Sequence, residues 1–229
     1  MANTGADERL LRALAEQIKL PLVQIASMAE LGNPNSLESI AHITEAALSL
    51  VDGFLLSSQR AEQETLELEP VSLSSVLMET SHQLDFWAKQ NNCDIEVRLA
   101  GKYVPVMAHQ KSLRSALLLL GYSLIEARAV ERRRHRVVLA AHRNPHGGLV
   151  AGVFDNQPGI SADAFRRGRA LYGSARQPIP GLGGANGAGV FIADALLRTM
   201  AAPLRVARHN NLTGLAGTFH PSSQLQFVS

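Results

Sequence analysis

Val153-Phe-Asp-Asn-Gln-Pro-Gly-Ile160 and Gly181-Leu-Gly-Gly-Ala-Asn-Gly-Ala-Gly-Val190 are the two stretches on which the reading of this chain turns. In the first, an apolar strand ends in an aspartate, and Gly159 lets the chain turn close to a ligand. A carboxylate at Asp155 can accept a hydrogen bond from an exocyclic amine such as that of adenine. A plain Asn-Gln-Pro-Gly turn after a strand explains the same residues. The second stretch runs directly into an apolar helical segment. Its glycines allow backbone amides to approach phosphate oxygens, and a helix N-terminus adds positive potential. A flexible linker is the plain alternative here. No Gly-Lys-Ser/Thr follows, so Walker-type phosphate binding is excluded.

Around these stretches the pattern predicts alternating elements. Leu73–Gln90 and Ser112–Arg128 read as helices, and Asp94–Leu99 and Tyr103–Met107 as short strands. Val137–His142 and Leu149–Phe154 alternate as a strand pair around the Asn144–Gly148 turn. Seven glycines with Pro178 and Pro180 make Gly168–Gly189 too irregular for a regular element. Val190–Met200 is helical, and Leu204–Ala207 with Gly217–His220 read as a closing strand pair. The expected architecture is an α+β sandwich with a mixed sheet.

The N-terminal segment differs in kind. Leu11, Leu14, Ile18, Leu22, Ile25 and Met28 form one stripe at spacings of three and four, with Pro21 inside it as an expected bend. Gly32–Ser36 then breaks the pattern. A second stripe follows with Ile40, Ile43, Ala47, Leu50, Val51 and Phe54. Two helices joined by so short a turn form an antiparallel hairpin, which cannot bury both stripes alone. Pairing with a second copy into a four-helix bundle is the expected solution, with packing on the rest of the same chain as the alternative.

Composition bounds the rest. With 46% hydrophobic and 18% charged residues, the 229-residue chain is globular rather than disordered. One cysteine excludes an internal disulfide framework and a cysteine zinc site, and fits a reducing cytoplasm. The first residues lack the basic start and apolar core of a signal peptide, and no apolar run reaches the roughly 18 residues of a membrane helix. The net charge of +2 hides a split. Residues 1–70 hold eleven acids and four bases, a net of −7, whereas residues 128–176 hold ten arginines and three acids, a net of +7. The arginine runs have no recognition-helix motif and few aromatic stacking partners, so a solvated loop or a surface for the acidic bundle of a partner chain is expected before DNA or RNA. The histidines show no paired metal-ligand spacing, and zinc is not expected. Phe86 and Trp87 are expected to pack in the core or at a hinge.

Taken together and in this order, the segments resemble the histidine-kinase cytoplasmic core. Val153–Ile160 resembles the Asp-x-Gly-x-Gly box of the Bergerat-type ATP-binding domain that these kinases share with gyrase-type ATPases. Asn186–Ile192 resembles its Gly-Leu-Gly-Leu-x-Ile box, and Gly217-Thr-Phe219 its closing strand. Leu113–Arg128 occupies the place of the N-box helix, Glu69-Pro-Val-Ser-Leu73 resembles the lead-in to the domain, and Ala15-Glu-Gln-Ile-Lys-Leu-Pro-Leu22 resembles the phosphoacceptor box His-Glu-Leu-Arg-Thr-Pro-Leu. The resemblance implies a dimerising hairpin at residues 1–62 and an ATP-binding α/β sandwich at residues 63–229. It also implies nucleotide contacts from Asp155, Gly159, Gly187, Gly189, Thr218 and Ser123.

Against that family the chain departs where the chemistry lies. Glu16 stands at the phosphoacceptor histidine and has no imidazole nitrogen to attack a phosphate. Gln17 replaces the acidic neighbour, and Leu20 replaces the Thr or Asn that supports phosphatase action. The two N-box asparagines align with Leu119 and Ser123, and the basic N-box residue aligns with Glu126. Mg2+ needs several oxygen ligands, and leucine supplies none. The expected protein is a kinase-like module impaired in phosphoryl transfer. ATP or ADP binding stays open, and Mg2+ is not expected to be held. Its implied partners are a second copy, a response-regulator receiver domain or a partner kinase, docked around Glu16, Gln17, Lys19 and Leu20. A histidine phosphotransferase or atypical kinase, using His42 or an unconventional acceptor, is the alternative.

Overall fold

The computed structural model describes residues 4–31, 36–58, 67–101, 103–129, 134–145, 147–156, 161–171 and 188–222. Its elements run α1 (Thr4–Leu31), α2 (Ser36–Ser58), β1 (Glu69–Val71), α3 (Leu73–Gln90), β2 (Cys93–Leu99), β3 (Val106–Ala108), α4 (Gln110–Ala129), β4 (His135–Arg143), β5 (Leu149–Asp155), α5 (Ala162–Leu171), α6 (Ala188–Arg198), β6 (Arg205–His209) and β7 (Leu212–Phe219).

The strand order is β2-β4-β5-β7-β6, with β2 parallel to β4 and every other pair antiparallel. This is the expected mixed sheet, with three corrections. The Tyr103–Met107 segment does not join it: β3 pairs with β1 in a separate two-stranded sheet. The final strand is longer than Gly217–His220, because β6 and β7 close on a tight turn at Asn210, whose φ of 52° is left-handed. Asparagine tolerates that conformation better than most side chains. Of the stretch expected to be irregular, Gly168–Gly189, the first residues belong to α5, which carries helix through Leu171, and the last two belong to α6.

Period-two alternation divides the sheet into two faces. Val137, Leu139, Ala141, Leu149, Ala151, Val153, Leu215 and Phe219 are buried in one large core shared with α3, α4 and α6. Val138, Ala140, Val150, Phe154, Leu212 and Ala216 form a smaller cluster on the opposite face. There one Nδ1–H of the His142–His209 pair donates to the other Nδ1 at 3.1 Å, and burial lowers both imidazole pKa values, which favours the neutral ring that must accept.

α4 is the central helix. Leu113 and the run Ala116–Leu120 are all buried, so it is covered on every side, as an all-round apolar helix must be. α6 is tied to the chain beyond it through Asp194, whose carboxylate accepts from the Leu204 amide and from Arg198 Nε, each at 3.0 Å. The lone cysteine, Cys93, is buried, and desolvation pushes its thiol up to about 12, which removes thiolate reactivity at neutral pH.

The helices α1 and α2 pack on each other, and α1 continues through Pro21. Of the predicted stripes, Leu14, Ile43 and Leu50 are buried, while Leu11 and Leu22 stay more than half exposed. Leu37–Ser57 is long and apolar enough to cross a membrane by length and composition alone, which qualifies the sequence expectation. Glu38, Glu45 and Asp52 interrupt it, and one side of it packs against α4 and α6.

Candidate functional site

Of the residues that the sequence marks for a ligand, Asp155, Ser123 and Gly189 lie on β5, α4 and α6, and α4 packs against both of the others. Asp155 ends β5, is 5% exposed, and stands opposite Val137 and Thr213 on the neighbouring strands. Residues directly opposite in a ladder share a face, so Asp155 and Thr213 both point to the helix layer. Thr218 is a correction. It pairs with Val150, a member of the opposite cluster, so its side chain lies on the other face of the sheet. It is also five residues along β7 from Thr213, roughly 16 Å at strand rise. Thr213 is the hydroxyl residue that the fold brings beside Asp155. Strand parity, counted from Asp155 across the ladder, is the signal that separates the two threonines.

Ser123 and Gly189 meet at the crossing of α4 and α6. A Cβ at Gly189 would lie 2.9 Å from Ser123 Oγ and 3.4 Å from the Leu119 carbonyl oxygen, so only glycine allows this approach. The Ser123 hydroxyl, 4% exposed, donates to that same Leu119 carbonyl at 2.7 Å. Leu119 is 1% exposed. The position aligned with a metal-binding asparagine is thus an apolar core position, and the hydroxyl one turn on is turned back to its own helix. Gly159 and Gly187 lie outside the described residues.

What covers this face is the hairpin. A Cβ at Gly53, in the C-terminal half of α2, would meet Leu119 Cδ1 at 2.9 Å, Ile192 Cγ2 at 3.1 Å and Leu196 Cδ1 at 3.7 Å. Leu50, one turn earlier, lies with Cδ2 3.7 Å from the Cβ position of Gly189. Neither residue was marked by motif. Glycine inside an apolar helix costs about 1 kcal/mol against alanine, and so it signals a close approach of another element.

Beside this contact is a seam of titratable groups. The His42 ring stacks on Phe86 with centroids 3.6 Å apart, and its Nδ1 lies 3.5 Å from a Glu45 carboxylate oxygen. Trp87 meets Tyr122 edge-on at 6.0 Å, which places both aromatic residues of α3 at the junction with the hairpin and α4. Burial first, then the Glu45 and Glu126 carboxylates, push the Tyr122 phenol up to about 12. Burial pushes the Glu126 carboxyl from the usual carboxylate range up to about 7.

That shift has a defined sign. Between about pH 4.5 and 7 the unfolded chain releases the Glu126 proton while the folded chain keeps it, so stability falls as pH rises through this window. Glu126→Gln removes the penalty, which is on the order of 3 kcal/mol from the size of the shift. It is expected to raise the melting temperature at pH 8 and to change it little at pH 5. An equal change at both pH values would show that the carboxyl is already solvated.

On the hairpin, Glu16, Gln17 and Leu20 lie within α1, and Lys19 beside them is exposed. The side chains of Glu16, Gln17 and Leu20 fall outside the described residues. No group of three or more metal-ligating side chains occurs among the described residues.

No protein-family model matches the sequence, and no curated protein matches it. Solved structures do. Full-length histidine kinase ShkA in complex with AMPPNP is similar with a TM-score of 0.55 at 20% identity, over 94% of this chain and 46% of that one. Histidine kinase ThkA in complex with the response regulator protein TrrA gives 0.54 at 14% identity, over 90% and 59%. Acinetobacter baumannii histidine kinase AdeS gives 0.51 at 13% identity, over 88% and 95%. The chain has a histidine-kinase-like core fold.

Proposed function

We propose that this chain is a cytoplasmic histidine-kinase-like signalling protein that does not transfer phosphate and works by binding other proteins. It divides into a hairpin at residues 1–62 and a degenerate ATP-binding domain at residues 63–229. The observation that carries the proposal is the environment of Leu119 and Ser123: a buried leucine and an inward-bonded hydroxyl occupy the places of two oxygen ligands. Phosphoryl transfer is almost entirely positioning and charge neutralisation, so the loss of these groups removes the means of catalysis. Asp155 and Gly189 leave a remnant adenine site, with Thr213 in place of Thr218.

The hairpin supplies the interaction surface. Leu11, Leu22 and Val23 on α1 and Leu37, Leu48 and Leu55 on α2 remain 46–72% exposed in the single chain. A second copy covering them completes a four-helix bundle. The kinase ThkA is solved with a response regulator, which supports a receiver domain as the further partner, docked around Glu16, Gln17, Lys19 and Leu20.

Two measurements test this reading. With radiolabelled ATP and Mg2+, no label should reach the chain or an added receiver domain, and label on either would overturn the proposal. In sedimentation the chain should be a dimer, and Leu48→Glu with Leu55→Glu should make it a monomer of unchanged helicity. Phosphotransfer through His42 is the second reading, favoured by Glu45, which can hold the Nδ1–H tautomer and leave Nε2 as the nucleophile. Label passing from a phosphorylated receiver to the chain, and lost in His42→Ala, would put that reading first.

A further inference from the structure

We infer that α2 is a tethered occupant of the α4–α6 face, so that hairpin docking and nucleotide access exclude one another. The inference rests on the proposed reading of that face as the remnant nucleotide site and adds what controls access to it.

Three contacts place α2 there. Gly53 lets the helix backbone come within one side-chain layer of Leu119, Ile192 and Leu196, where even a methyl group would lie 2.9 Å from a leucine carbon. Leu50, 7% exposed, covers the crossing of Gly189 and Ser123. Leu14 of α1 joins the same buried cluster, so both helices of the hairpin are anchored to this core. The seam is lined by leucine and isoleucine carbon. A triphosphate could not share it without losing its hydration to apolar walls.

The leucine at position 119 therefore has a role of its own. Its Cδ1 is the carbon nearest the Cβ position of Gly53, and the short polar side chain of an asparagine would leave that contact to Ile192 and Leu196 alone. The residue that removes a metal ligand also makes the seat for α2. If the docked and released states interconvert, the apparent nucleotide affinity is the intrinsic affinity scaled by the released fraction. Loosening the seam should then raise the affinity without any new nucleotide contact.

The test uses the full chain, ATP carrying a fluorescent methylanthraniloyl group, and hydrogen exchange of residues 37–57. In the wild type, binding should be detectable only at millimolar nucleotide, and exchange of α2 should rise as nucleotide is added. Gly53→Leu should expose α2 to exchange and raise the apparent affinity at least tenfold. Leu50→Ala, which loosens the seam without overpacking it, should act in the same direction and serves if Gly53→Leu does not fold. The inference is overturned if the wild type binds nucleotide while α2 stays protected, or if the variants leave α2 protected. It is equally overturned if they expose α2 and affinity does not rise. Failure of the parent reading would appear elsewhere, as label transferred to the chain or to a receiver.

Discussion

Gly214→Ala is expected to destabilise the domain by about 3 kcal/mol or more, a loss found only where a substitution has no room to be absorbed. Gly214 lies on β7 between Phe154 of β5 and Ala207 of β6. A Cβ there would fall 2.1 Å from the Val153 carbonyl oxygen and 2.6 Å from the Phe154 Cα. Both atoms are backbone, so no rotamer change relieves the overlap. β5 cannot retreat either, because it is hydrogen-bonded on its far side to β4 through seven residue pairs. The substitution must open the β5–β7 ladder at the centre of the sheet. Urea unfolding should show a midpoint lower by about 1–2 M. A midpoint within experimental error of the wild type would mean that the two strands are not in this close contact.

Leu119→Asn, which installs the residue that histidine kinases carry at the position Leu119 resembles, is expected to destabilise the protein by about 2–4 kcal/mol and to confer no phosphoryl transfer. The side chain is 1% exposed and meets the hairpin at Gly53. Replacing it removes apolar contacts and buries an amide whose nearest neighbours at that point are carbon atoms. The measurement pairs thermal unfolding with labelled-phosphate transfer. Unchanged stability would show that position 119 is open to solvent and that α2 is not seated on it. Gain of transfer would show that a single oxygen ligand was all that the site lacked.

Much of the fold is legible in the sequence, for a local reason. Spacings of three and four mark α1 and α2, because periodicity records which side of an element is covered, whereas β4 and β5, on either side of the Asn144–Gly148 turn, are apolar runs buried on both faces of the sheet. The missed features have equally specific causes. β3 reads as a strand of the one mixed sheet, yet it pairs with β1, some 35 residues earlier, in a sheet of its own. The β6–β7 turn is hidden because Asn210-Asn211 lacks the glycine that usually announces a hairpin. Thr218 matches the motif, and the pairing that puts it on the far face of the sheet is a property of the ladder rather than of the motif.

The candidate site divides along the same line. Residue identity alone determines that Glu16 cannot serve as a phosphorylated histidine and that Leu119 offers no oxygen to a metal, because these are properties of the side chains themselves. Local period determines that residues 4–58 form two apolar-striped helices. Only the tertiary structure decides which stripe residues are buried and what they are buried against. Leu50 and Gly53 are packed on α4 and α6, more than 60 residues away in the chain, whereas Leu48 and Leu55 remain exposed. A periodic pattern states that a helix has an apolar side. It carries no information about which distant surface has the matching shape, and that shape is what seats the hairpin on α4 and α6.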